Sequence, residues 1–140
     1  MALARLTYVS HSNHFISWDM VKDILFVAQE HNKQHDITGL LVSHNMRFLQ
    51  TLEGEESEIK DLYNKITSDK RHTECQILEC SPISNRQFGQ WNMKGFDFDA
   101  LNEKQKAYIL SHYCNGSEDF YIPEDADACL KLIHDLELVH

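Results

Sequence analysis

The chain opens on an alternating run. In residues 3–9, Leu6 and Tyr8 share one side of an extended backbone with Ser10, while Arg5, Thr7 and Val9 share the other. This is the period-two pattern of a strand. A polar loop, 10–15, follows, and the spacing then turns helical. Val21, Ile24, Leu25 and Ala28 form one stripe, with Ser17 or Asp19 able to cap its start. The helix is expected to reach about His31, because 32–36 hold no apolar side chain. Two β-type runs, 37–43 and 46–52, flank His44-Asn45 and predict a hairpin that Glu53-Gly54 stops. Helical spacing returns over 55–68, with Ile59, Leu62, Tyr63 and Ile66 as its stripe. Residues 73–80 predict a strand ended by Pro82, 83–92 a loop carrying Phe88 and Trp91, and 93–98 a last strand.

The order βαββαββ predicts an α+β sandwich of ferredoxin-like type, with both helices on one face of the sheet. Beyond Asp99 the pattern predicts two extra C-terminal helices, 101–114 and 124–138. The second places Cys129, Leu132, Ile133, Leu136 and Val139 at near-helical spacing. Such a stripe needs cover, and the free face of the sheet offers it. The chain is thereby divided into a sandwich, 1–98, and a helical cap or output segment, 99–140.

Composition narrows the function. The 140 residues suffice for one core, and 42% hydrophobic with 25% charged is globular usage. Thirteen basic residues against 22 acidic give a net charge of -9, without a Lys/Arg block, which argues against direct nucleic-acid binding and against a membrane surface. No apolar run approaches the ~20 residues of a membrane helix. The opening residues lack the charged-then-apolar pattern of a secretory signal, so a cytoplasmic location is expected. Cys75, Cys80, Cys114 and Cys129 form no C-x-x-C pair and read as reduced, buried small apolar residues.

A few residues sit oddly in a plain core. Gln50 lies mid-strand between Phe48 and Leu52 on the same face. A buried Gln brings two donors and an acceptor, and leaving them unpaired costs roughly 1–3 kcal/mol. Tyr8, also mid-strand, has a hydroxyl that needs a partner. On neighbouring strands the two satisfy each other, either as a structural pair or as part of a site. His31-Asn32 and Asp69-Lys70-Arg71-His72 close the two helices. They read either as ordinary C-terminal capping or as a polar edge for a flat heterocycle, with Arg71 and His72 for a phosphate or ribityl hydroxyl. His31/His35 and His11/His14 have helical spacing but no completing ligands, so no metal site is expected. No standard nucleophile, phosphate-loop or dinucleotide motif occurs.

In order along the chain, Arg5-Leu6-Thr7-Tyr8-Val9-Ser10, Asp36-Ile37-Thr38-Gly39-Leu40-Leu41, Phe48-Leu49-Gln50-Thr51-Leu52-Glu53-Gly54, Asp69-Lys70-Arg71-His72 and Arg86-Gln87-Phe88 through Trp91-Asn92-Met93 resemble the BLUF family, blue-light sensors that use flavin. The resemblance covers about 3–98 and is to short, stand-alone members. It implies FAD or FMN between the two helices. Asn32 would bond the ring's carbonyl edge beside His31, and Ile24, Leu41, Phe48 and Ile66 would wall it. Asp69, Arg71 and His72 would surround the ribityl and phosphate end, and Gln50 would lie between Tyr8 and the ring.

The implied function is a photoreceptor and not an enzyme. Tyr8 gives an electron to the excited flavin and a proton follows through Gln50. After recombination Gln50 is left rearranged, and the absorption is shifted slightly red. Trp91 and Met93 are the candidates to relay the change. The output would go through residues 99–140 to a separate effector protein, from a homodimer or larger assembly. Lys94 stands between Met93 and Gly95, where some relatives run Met-Gly directly. The rival readings are a light-insensitive flavin or ligand sensor, and an acylphosphatase-like hydrolase using Arg71. The hydrolase would need an anion loop after the first strand, and Ser10-His11-Ser12-Asn13-His14 has neither glycine nor arginine.

Overall fold

The computed structural model describes residues 2–12, 17–68, 73–89, 91–114 and 122–137. Strand β1 (Leu3–His11) leads to helix α1 (Trp18–Gln34), the hairpin β2 (Thr38–His44) and β3 (Arg47–Glu55), helix α2 (Glu56–Thr67), β4 (Thr73–Pro82) and β5 (Lys94–Asp97). A short 3-10 helix, Phe98–Ala100, precedes α3 (Glu103–His112) and α4 (Ala126–Glu137). The sheet order is β4-β1-β3-β2-β5, the ferredoxin-like order with β5 added beside β2. All pairings are antiparallel except β2 with β5, which is parallel.

Local chemistry explains the boundaries. Ser17, not Asp19, caps α1 by accepting from the Met20 amide at 3.2 Å. The helix runs past Asn32 to Gln34, and the chain turns at Asp36, whose φ is 54°. The hairpin turn is Asn45-Met46, one residue later than the predicted His44-Asn45. Both residues have positive φ, 50° and 62°, as a tight turn matching the strand twist requires. Asn102 and Gln105 form a reciprocal capping box that starts α3. The last strand is shorter than the predicted 93–98, because Phe98 already belongs to the 3-10 helix. Val139 lies outside the described residues.

The predicted alternation of β1 divides the interior in two. Ala4, Leu6, Tyr8, Leu41, Phe48, Leu52 and Met93 pack with Val21 and Leu25 of α1 and Ile59 of α2. On the other face, Leu40, Val42, Leu49, Phe88 and Phe98 pack with Ile109 of α3 and Cys129, Leu132, Ile133 and Leu136 of α4. The C-terminal helices thus cover the sheet face left free by α1 and α2. Cys114 and Cys129 are buried as expected, but Cys75 is half-buried and Cys80 exposed, because both lie on β4, an edge strand with no neighbour beyond it among the described residues.

Candidate functional site

The register of the sheet assembles the site. Tyr8 on β1 stands opposite Gln50 on β3, and Gln50 stands opposite Leu41 on β2, which in turn faces Gly95 on β5. All four positions point to the α1/α2 side. Above this row, between the helices, is a cavity of about 310 Å³ lined by Asp23, Ile24, Val27, Ala28, His31 and Asn32 of α1, Leu62 and Ile66 of α2, and Leu41, Phe48 and Gln50 of the sheet. Seven predicted residues meet in this one space: Ile24, His31, Asn32, Leu41, Phe48, Gln50 and Ile66. Asp69, Arg71 and His72 lie outside the described residues.

Tyr8 sits behind Gln50, and its hydroxyl donates to Gln50 Oε1. Its ring meets Tyr63 of α2 edge-on, with centroids 5.2 Å apart. Burial raises the Tyr8 phenol above its usual range, with Cys75 and then Tyr63 adding to the shift. The phenol therefore stays protonated and remains a donor to Gln50 throughout the neutral range. The other end of the amide, Gln50 Nε2, donates to the Met93 sulfur at 3.7 Å. A thioether is a weak acceptor and Nε2 carries two hydrogens, so the amide keeps donor capacity at the wall of the cavity it lines.

The structure separates the two relay candidates. Met93 is buried in the cavity-side core beside Gln50. Trp91 packs on the opposite face near Phe88, with the Lys94 ammonium 5.8 Å from its ring centre. The two can diverge although they are two residues apart, because 91–93 precede β5 and are not extended in register. Gly39 is required beside them, since a Cβ there would come within 2.0 Å of the Thr51 carbonyl oxygen and 3.3 Å of the Met93 methyl. Asn32, buried, donates through Nδ2 to the Asn92 carbonyl at 2.8 Å, and its Oδ1 lies 3.4 Å from His31 Nδ1. His31 stacks on His35, which pairs with Glu58 at 2.9 Å. Among the described residues no group of three or more metal-ligating side chains occurs.

One important residue is read wrongly from the sequence. Glu53 does not stop the hairpin. It lies within β3, wholly buried, and holds Arg5 at 2.8 Å together with the amides of Gln87 at 2.9 Å and Phe88 at 2.7 Å. Arg86 adds bonds to the Asp36 carbonyl at 2.7 Å, Thr38 Oγ1 at 3.0 Å and the Glu53 carbonyl at 3.2 Å. The loop bearing Trp91 and Asn92 is therefore bolted to β3 and β2. The available clue was charge complementarity between two strands, Arg5 on β1 and Glu53 on β3.

A mostly apolar slot between two helices, with Gln50 in its floor, Tyr8 bonded behind it and a few polar groups at its edge, makes this a small ligand-holding domain. Its size and lining suit one flat heterocycle. The chain belongs to the BLUF family, sensors of blue light using FAD, whose sequence profile matches residues 3–94.

Among its relatives is the blue light- and temperature-regulated antirepressor BluF of Escherichia coli (strain K12). That protein is 34% identical over 123 residues, or 88% of this chain and 30% of the relative. Photoactivated adenylate cyclase subunit alpha of Euglena gracilis is 32% identical over 103 residues, or 72% of this chain and 10% of the relative. The chain thus spans about a tenth to a third of the length of these curated relatives. The solved structure of BlsA in its photo-activated state superposes with a TM-score of 0.73 at 26% identity, covering 99% of this chain and 96% of that one.

Proposed function

We propose that this chain senses blue light through Tyr8 and Gln50, acting on a flavin held between α1 and α2. The observation that carries the reading is the hydrogen bond from buried Tyr8 to Gln50, which lines the cavity. Asn32 and His31 would hold the polar edge of the ring, with Ile24, Leu41, Phe48 and Ile66 as walls. Asp69, Arg71 and His72 would take the ribityl and phosphate end. When bound, FAD supplies a blue-light-excited electron acceptor. Tyr8, a phenol that burial keeps firmly protonated, would supply the electron, and a proton would follow along the existing bond through Gln50. Return of one electron and one proton would restore the Tyr8 phenol and leave the Gln50 amide either turned or tautomerised, the tautomer keeping a proton on Oε1 and giving one up from Nε2. Donor and acceptor then exchange places toward Tyr8, Met93 and the cavity. This is a two-state hydrogen-bond switch whose output is a population shift.

Residues 1–98 would form the photosensory unit and 99–140 the cap through which Met93, β5 and the following helices pass the change on. The partner would be a separate effector protein, and the assembly a homodimer or larger. The chain itself would catalyse no turnover, in keeping with a sensor family. A cytoplasmic location fits the absence, among the described residues, of any helix long and apolar enough to cross a membrane. The phosphate-hydrolase alternative loses its ground in a sensor family. The light-insensitive alternative is separated by experiment. The FAD-loaded protein should show a flavin band that moves slightly red under blue light and reverts in darkness, and Gln50→Leu should keep the flavin and lose the shift. A flavin-loaded parent without any shift would overturn the photochemical role of the pair.

A further inference from the structure

The side of α1 toward β5 carries an arrangement that neither the Tyr8–Gln50 pair nor the cavity walls explain. Leu25, Gln29 and Asn32 stand four and three residues apart, on one stripe of the helix. They meet successive points of the segment leading into β5. Leu25 lies so near Gly95 that a Cβ there would fall 2.1 Å from Leu25 Cδ1. Gln29 Nε2 donates to the Met93 carbonyl at 2.9 Å, and Asn32 Nδ2 donates to the Asn92 carbonyl at 2.8 Å. The Trp91 carbonyl, in turn, accepts from the Gly39 amide at 3.0 Å. Three consecutive carbonyls are thus each held by a different anchor. Gln29 is exposed and lies outside the cavity lining.

β5 has four residues and, among the described residues, β2 as its one strand neighbour. So short an edge strand is held by few ladder bonds, and side-chain bonds at its entrance weigh correspondingly more. The Met93 whose carbonyl Gln29 holds is the same residue whose sulfur accepts from Gln50 Nε2.

We propose that Gln29 is a positioning residue of the light switch: its hydrogen bond to the Met93 carbonyl sets the resting place of Met93 against Gln50 and re-forms as the lit state relaxes. The inference rests on Tyr8 and Gln50 being the switch. Gln29 touches neither, so its effect falls on the relaxation and not on the photochemistry. Losing one such bond should slow dark recovery about three- to tenfold, the range expected for a single net hydrogen bond.

The test uses the full chain loaded with FAD, comparing the parent with Gln29→Met, which removes the donor, and Gln29→Lys, which restores one. Gln29→Met should bind FAD, show the parental red shift and recover more slowly. Gln29→Lys should recover within about twofold of the parent, since a donor again faces the carbonyl. Gln29→Glu, of equal length but an acceptor, serves as a second donor-less variant and should also be slow. A purely structural role would lower thermal stability in the donor-less variants while leaving the recovery rate unmoved. Recovery of the donor-less variants at the parental rate or faster would overturn the proposal, as would a Gln29→Lys variant as slow as Gln29→Met. A parent without a red shift is a different failure, because it removes the switch reading itself.

Discussion

On the cavity side of β1 and β3, Tyr8 meets Gln50 beside about 310 Å³ of space. One residue along, on the other side of the same strands, Thr7 bonds Thr51 at 2.9 Å beneath the C-terminal helices. Arg5 bonds Glu53 on that same closed side. Both faces bury polar side chains, but only one leaves them an alternative. Gln50 has a strong partner at one end, a weak one at the other and a cavity beside it, so its amide can exchange partners at small cost. Glu53 is saturated by Arg5 and two backbone amides, and any rearrangement would strand a buried charge. A hydrogen-bond switch on the open face would therefore have a locked back to work against. The saturated face would hold the strands in register while the open face changed.

Breaking the locked face should have the largest effect. Glu53→Ala leaves Arg5 without its partner and frees the 87–88 amides, and should cost about 3–5 kcal/mol in urea unfolding. It should also loosen the loop before Met93, read as faster hydrogen exchange of the Gln87 and Phe88 amides. A smaller effect is expected from Thr7→Val, which leaves the Thr51 hydroxyl unpaired at a cost of roughly 1–3 kcal/mol. It should do so without altering the red shift, whereas Gln50→Leu on the facing side should abolish the shift. Equal spectral effects from the two substitutions would erase the contrast between the faces.

The smallest effect is on pH dependence. Burial raises the Cys129 thiol and, with help from its bond to Asp135, the Tyr113 phenol, each to about 12. Burial likewise raises Tyr8 and Cys75. All four groups are protonated in folded and unfolded chains near neutrality. Above the ordinary values of ~8.5 for Cys and ~10 for Tyr, the unfolded chain releases protons that the folded chain keeps, so stability declines as pH rises. Cys129→Ala should flatten the early part of that decline and Tyr8→Phe the later part, measured as urea midpoints across the alkaline range.

Much of this was legible in the sequence. The period-two run of β1 already placed Tyr8 and Thr7 on opposite faces, and the helical stripes of α1 and α2 placed Ile24 and Ile66 toward the sheet. Gln50 drew notice because a mid-strand amide needs partners. Glu53 reads as a stop because a glutamate beside a glycine resembles the end of a strand, and its partners come from 48 residues earlier and 34 to 35 residues later in the chain. Gln29 offered no signal at all. It is an exposed polar residue on a helix, and its role depends on where an edge strand happens to pass.

What the sequence determined by itself is periodic and local: which residues alternate, where helices are capped, and that a tyrosine and a glutamine sit in apolar strands. Only the tertiary structure decided the partners. Register set Tyr8 against Gln50, and the course of the chain ahead of β5 turned Met93, not Trp91, toward the amide. It also brought Arg5, Glu53 and the 87–88 amides into one saturated cluster. The physical reason is that a hydrogen bond has short range and strict geometry, whereas hydrophobic patterning specifies only a face.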